Sequence, residues 1–170
     1  LQDFTSKGQK DPTFYACTPH PISVKLIEAL AVENDWSIIY GDVSTAYLHA
    51  EEKQKVYTRP PAGWERKAPD GKEYLWELLA NVNGRRPGAK NWFMRLSEEM
   101  KGLGLEQMLT EPCMFVSEDR KFFALVHVDD FVCTGDKGER QKYLDKTQKV
   151  MLLKLWRTRY FSWRDRGARS

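Results

Sequence analysis

Three aspartates stand where strand-like segments end. Asp42 follows the run IIYG at residues 38–41, and Asp129 and Asp130 interrupt FFALVHVDDFVCTG at residues 122–135. Adjacent like charges repel, and an ionised carboxylate is costly to bury without a partner. Two readings account for the residues. Aspartate favours tight turns, so the Asp-Asp pair fits a solvated loop tip, and Asp42 fits a strand-end cap for Ser44 and Thr45. Carboxylates from two elements meeting at one sheet edge instead make the hard-oxygen environment that Mg²⁺ prefers. Two such ions about 3.5–4 Å apart would clamp the attacking and leaving oxygens of an in-line displacement. Phosphoryl transfer then asks the protein for little beyond position and charge stabilisation.

The choice depends on the elements that carry these residues. Apolar residues recur at helical spacing from Ile22 to Glu33, with Asn34 as a stop. Residues 36–40 (WSIIY) are β-branched and aromatic and predict a strand running into Gly41 and Asp42. Short strands are expected at 56–58 and 74–79. A helix is expected over 89–103, with Trp92, Leu96, Met100 and Leu103 along one face as core. Residues 113–116 and 122–128 flank SEDRK at 117–121 as a hairpin, and 131–134 pairs back across the Asp-Asp turn. Helical spacing returns from Lys137 to about Leu153. Beyond Leu155 the chain is rich in Trp and Arg without clear periodicity.

Composition bounds the class. With 41% hydrophobic and 30% charged residues, the chain is predicted to fold as a globular protein. No apolar run approaches the roughly 20 residues of a membrane span, so no membrane partner is expected. Cys17, Cys113 and Cys133 are far apart and show neither zinc-type spacing nor a disulfide framework, which fits a reducing, intracellular setting. Charge is uneven. Of 27 Lys and Arg, 11 fall in residues 137–170, against 3 of the 24 Asp and Glu, so this stretch carries +8 and residues 1–136 carry −5. Such a tail fits either a solvated helix face or a phosphate-binding segment. The chain opens on Leu1 rather than Met and reads as a piece of something longer.

The neighbours of the aspartates carry a further signal. DVSTAYLHA at 42–50 resembles the first catalytic block of copia-type retrotransposon reverse transcriptases, D-V-x-T-A-[FY]-L-H. VYTRPPAGW at 56–64 is similar to the family's V-Y-x-x-x-P-x-G-[FW]. WEL at 76–78 resembles its W-x-L, and residues 84–92 lie in register with its second block. Leu103-Gly104 followed by EPCMF at 111–115 resembles L-G-[FY] and D-P-C-[LV]-[FY]. HVDD at 127–130 is similar to the [YH]-V-D-D active-site turn. These matches run in family order and spacing over roughly residues 20–136. In the second block Asn83 stands for the usual Tyr, Pro87 for Gln, Ala89 for Pro and Lys90 for Arg.

The resemblance implies an α+β fold: a reverse-transcriptase palm with partial fingers, an antiparallel sheet backed by helices. Residues 1–136 would form that part, and 137–170 a basic helix followed by a tail, from Leu152 onward, that matches no family segment. By motif position, Asp42 and Asp129 would be the main ligands of two Mg²⁺ ions, for which Mn²⁺ can substitute. Asp130 would support them, and the Val43 carbonyl would add a further ligand. Tyr47 would lie under the sugar of the incoming nucleotide, a position equally suited to a packed aromatic, with Pro87 and Lys90 near the nucleotide. His49 and His127 read as packed or hydrogen-bonded histidines. The implied activity is RNA-directed DNA synthesis on a primed RNA or DNA template from deoxynucleoside triphosphates. The ribonuclease H and integrase parts of the Pol polyprotein would lie outside this chain. The implied setting is a cytoplasmic virus-like particle or the nucleus. The alternative is an inactive retroelement remnant that binds nucleic acid weakly through its basic tail.

Overall fold

Alternating apolar residues in FFALVH and DFVCTG give the middle of the molecule two buried faces, and helices cover both. The computed structural model describes residues 17–84 and 87–157. Its elements run α1 (Pro21–Glu33), β1 (Ile39–Val43), a 3₁₀ turn (Ala46–His49), β2 (Tyr57–Thr58), β3 (Trp76–Glu77), α2 (Gly88–Gly102), β4 (Leu105–Gln107), β5 (Met114–Ser117), β6 (Phe122–His127), β7 (Asp130–Gly135), α3 (Lys137–Val150) and β8 (Leu153–Arg157). Six strands form one sheet in the order β4-β5-β6-β7-β1-β8, antiparallel throughout. β2 and β3 make a separate two-stranded ribbon. The expected mixed fold, an antiparallel sheet backed by helices, is what the chain adopts.

The pleat divides the sheet residues between two cores. Phe115, Ala124, Phe131 and Cys133 pack with Trp92, Leu96 and Met100 of α2 and with Tyr143 and Leu144 of α3. Met114, Val116 and Leu125 point the other way, against Ile27 and Ala31 of α1. Full burial of each large apolar side chain contributes about 1.5–3 kcal/mol, so the sheet is held from both sides.

The helices are started by identifiable residues. His20 accepts the Ile22 N–H at 3.3 Å through Nδ1, and Pro21 opens the first turn of α1. Glu111, from the β4–β5 connection, accepts the His20 N–H at 2.8 Å and the Ser23 hydroxyl. A carboxylate there complements the positive end of α1. Burial opposes its charge, but the bonds from Ser23, His20 and Cys113 outweigh that and hold its carboxyl below the usual range. Asp136 caps α3, accepting from Gly138 N–H at 2.9 Å and Glu139 N–H at 3.4 Å.

Several boundaries differ from the sequence-based expectation. The first strand begins at Ile39, not Trp36. The Ser37 carbonyl is taken by the Thr134 hydroxyl and the Arg140 guanidinium, at 3.3 and 3.1 Å, so residues 36–38 serve as the link from α1. The strand expected over 74–79 contracts to two residues. α3 ends at Val150, short of the expected end at about Leu153, and Leu153–Arg157, where no strand was expected, becomes β8, paired with β1 from Ile39↔Arg157 to Val43↔Leu153. Among the described residues no helix is long and apolar enough to cross a membrane. Residues 158–170 of the basic tail lie outside the described part.

Candidate functional site

β1 lies directly beside β7, and the register sets Asp42 opposite Asp130. Residues so placed share a sheet face with Cβ atoms about 4.5–5.5 Å apart. The hairpin loop between β6 and β7 is two residues long. His127 pairs with Asp130, which leaves Val128 and Asp129 at the tip. The turn is therefore Val128-Asp129 rather than Asp129-Asp130, and Asp130 is the first residue of β7. The Asp129 carbonyl accepts the Val43 N–H at 2.7 Å, which ties the loop tip to the end of β1. Residues some ninety apart in sequence thus meet at one end of the sheet.

Asp129 and Asp130 are exposed and Asp42 is half-buried. Among the described residues none of the three takes part in a salt bridge or a side-chain hydrogen bond. Like charges facing each other across strands are destabilising, so this donor set of hard oxygens suits a cation. The side chains are not drawn into a closed cage, however. The place among the described residues where three possible metal-ligand atoms lie within 4.8 Å of one another is Cys17, Glu111 and Cys113.

The Val128-Asp129 turn is strained and held. Val128 has φ +57°, a region that costs a β-branched residue of order 1–3 kcal/mol. Its carbonyl accepts the Trp92 indole N–H at 2.6 Å. Trp92 is almost fully buried, and its ring centroid lies 5.8 Å from that of His49. His49 in turn lies 3.2 Å through Nε2 from the Ser44 carbonyl. A chain of contacts therefore runs from the segment after Asp42, through His49 and Trp92, to the aspartate turn. Trp92 reads from the sequence as core alone. Its second role needs the indole N–H aimed at one carbonyl, which spacing does not reveal. The Nδ1 atom of His127 is buried with no hydrogen-bond partner among the described residues, beside a cavity of about 390 Å³ that Tyr40, Asp130, Val132 and Trp156 also line.

Tyr47 sits on the 3₁₀ turn, half-buried, against the start of α2. A Cβ on Gly88 would come within 3.1 Å of the Tyr47 ring, so the absence of a side chain there lets the two approach. Pro87 is the cap residue of α2, which has no side-chain cap, and Lys90 follows in the first turn, half-buried. Tyr47, Pro87 and Lys90 are thus brought to one neighbourhood. A cavity of about 400 Å³ there is lined by Tyr47, Leu78, Val82 and Asn83, without Pro87 or Lys90. Sequence reasoning missed Asn81. It is fully buried, and its amide donates to the Ala50 and Glu51 carbonyls at 3.1 and 2.7 Å and accepts from Asn91 at 3.2 Å. It fastens the end of the 3₁₀ turn to α2. An asparagine in a turn-rich stretch gives no hint of that.

This arrangement of acidic turn, neighbouring strand and supporting helix can be set beside known proteins. The family model described as reverse transcriptase (RNA-dependent DNA polymerase) matches residues 13–162. The chain belongs to that family. The match extends over β8, beyond the segments whose motifs carried the resemblance. Curated relatives are copia-type Pol polyproteins. The Retrovirus-related Pol polyprotein from transposon TNT 1-94 of Nicotiana tabacum is 28% identical over 68% of this chain and 9% of its own length. That from transposon RE2 of Arabidopsis thaliana is 27% identical over 76% of the chain and 9% of its own length. The Transposon Ty1-ER2 Gag-Pol polyprotein of Saccharomyces cerevisiae is 27% identical over 72% and 7%. The chain spans about 9% of the length of the first two. Among solved structures, apo telomerase from Candida Tropicalis, truncated from its C-terminal domain, is 13% identical over 88% of this chain and 37% of that one, with a TM-score of 0.45. The family is one of nucleotidyltransferases that generally work with divalent metals.

Proposed function

We infer that the chain is the palm and part of the fingers of an RNA-directed DNA polymerase, and that it transfers nucleotides onto a primer 3′-hydroxyl. The observation that carries this reading is the placement of Asp42 opposite Asp130 with Asp129 at the adjoining turn. In this reading Asp42 and Asp129 are the principal ligands of two Mg²⁺ ions, with Asp130 and the Val43 carbonyl in support. When bound, the ions supply neutralisation of the charge that develops on the attacking and leaving oxygens. The chain's own residues orient the reactants. Tyr47 lies under the sugar of the incoming deoxynucleoside triphosphate. Lys90 and the positive end of α2 behind Pro87 face its phosphates. Trp92 fixes the Val128-Asp129 turn so that the carboxylates need no rearrangement as charge moves. Partners in this reading are a primed RNA or DNA template and, as in the Pol polyproteins, ribonuclease H and integrase parts. The setting is intracellular, in a virus-like particle or the nucleus.

Primer extension on a primed RNA template with deoxynucleotides and Mg²⁺ or Mn²⁺ tests the reading. The expected result is extension that Asp129→Asn reduces by 10³-fold or more, with circular dichroism unchanged. A folded wild-type chain that extends no primer sinks autonomous catalysis. The charge distribution favours one second reading, a remnant that binds nucleic acid through its basic end. Such binding fades steeply with salt and ignores both Mg²⁺ and Asp129→Asn.

A further inference from the structure

The entry to α1 and the beginning of β5 bring together three side chains that the polymerase reading does not use. One ligand atom from each of Cys17, Glu111 and Cys113 lies within 4.8 Å of the other two. Cys113 is fully buried, while Cys17 and Glu111 are half-buried. Cys113 belongs to the apolar cluster under α1, and Cys17 packs against that cluster from its partly exposed edge.

Glu111 is held in place rather than free to swing. Its Oε2 accepts from His20 N–H and the Ser23 hydroxyl, whereas Oε1 accepts one long bond, 3.3 Å, from Cys113 N–H. Oε1 therefore keeps a lone pair near the sulfurs. Two thiols with one carboxylate are a poor set for Mg²⁺ and a good one for a borderline cation, because thiolate sulfur selects zinc-class ions. Zinc binds Cys sulfur at about 2.3 Å and carboxylate oxygen at about 2.0–2.2 Å. Tetrahedral ligands at those lengths stand roughly 3.3–3.8 Å apart, so modest side-chain rotation closes this trio on an ion.

We propose that Cys17, Glu111 and Cys113 form a zinc-class site, distinct from the three aspartates, that pins the entry of α1 to the start of β5. Water fills the fourth position. On binding, two S–H bonds are replaced by two S–metal bonds, two protons pass to solvent, and nothing is oxidised or reduced. Thiols bind such an ion only as thiolates, so occupancy falls as pH falls.

The test uses the full chain, reduced with a phosphine and stripped with EDTA, then titrated with Co²⁺ as a visible probe and with Zn²⁺. Expected are a thiolate-to-Co²⁺ charge-transfer band saturating at one equivalent, its loss on adding one equivalent of Zn²⁺, and a higher thermal midpoint with Zn²⁺. Because Cys113 is core, Cys17→Ser at the less buried position is the deciding variant. It should lower Zn²⁺ affinity about 100-fold while the far-ultraviolet spectrum is kept. Asp129→Asn should leave Zn²⁺ affinity unchanged. Absence of the band, or an affinity that Cys17→Ser does not alter, overturns the proposal. So does a reduced chain that takes up no metal and merely loses 2 Da to a Cys17–Cys113 disulfide in air.

Discussion

The Trp92 indole, donating to the Val128 carbonyl, is one of two hydrogen bonds that tie down the aspartate turn, the other running from Val43 N–H to the Asp129 carbonyl. Val128 is held at φ +57°, and one of its restraints is that 2.6 Å bond. Trp92→Phe keeps most of the packing and deletes the donor. We expect about 1 kcal/mol of lost stability by urea denaturation, because a partly buried carbonyl loses its donor. Extension should fall about tenfold, with a higher Mg²⁺ requirement and an unchanged nucleotide KM. A change of stability alone would assign Trp92 to the core only. Cys133 supplies a pH test at the same scale. Burial pushes its thiol up to about 12, against an ordinary value of 9.0. Between these values the unfolded chain has lost the proton and the folded chain keeps it, so stability falls as pH rises from 9 to 12. Urea midpoints measured across that range should decline, and Cys133→Ala should flatten the decline.

Strands and helices were legible where one residue type dominated their pattern. The stripe Trp92, Leu96, Met100 gave α2 almost to the residue, and FFALVH and FVCTG gave the two central strands. β8 was illegible because LKLWR alternates over only five residues and its partner, β1, lies more than a hundred residues earlier. The two-residue loop was misplaced because Asp-Asp is a commoner turn pair than Val-Asp, and nothing in the sequence discloses that Trp92 holds a valine at positive φ. Of the site, the carboxylates could be read from motif, while the supports Asn81 and His49 required their carbonyl partners to be known. Gly135, at the end of β7, offers a test of the hairpin itself. A Cβ there would lie 2.3 Å from the Lys121 carbonyl and 2.9 Å from Phe122 Cα, both backbone atoms that cannot rotate away. Gly135→Ala should therefore cost about 3 kcal/mol or more by urea denaturation. A loss below 1 kcal/mol would mean that β6 and β7 separate there more readily than their pairing suggests.

Over the whole molecule, charge and sheet order set different expectations. Residues 158–170 contain four arginines and one aspartate. Removing them should weaken binding to a single-stranded oligonucleotide and reduce the slope of log affinity against log salt by about 2 to 3. An unchanged slope would place the nucleic-acid contacts elsewhere. The sheet order carries a consequence for how the chain is made. β1 ends up between β7 and β8, with α1 just before it. On the ribosome, Ile39–Val43 emerges with both edges bare, and its partners follow only after some ninety to one hundred and fifteen further residues. At 5–20 residues per second, that is on the order of ten seconds. Until β7 emerges the strand bearing Asp42 has no native neighbour on either side, whereas β4, β5 and β6 each meet the next strand almost as soon as it is made. The carboxylate that comes first in translation thus waits longest for its partner strand, and β1 is the segment most in need of chaperone cover while the polypeptide is still growing.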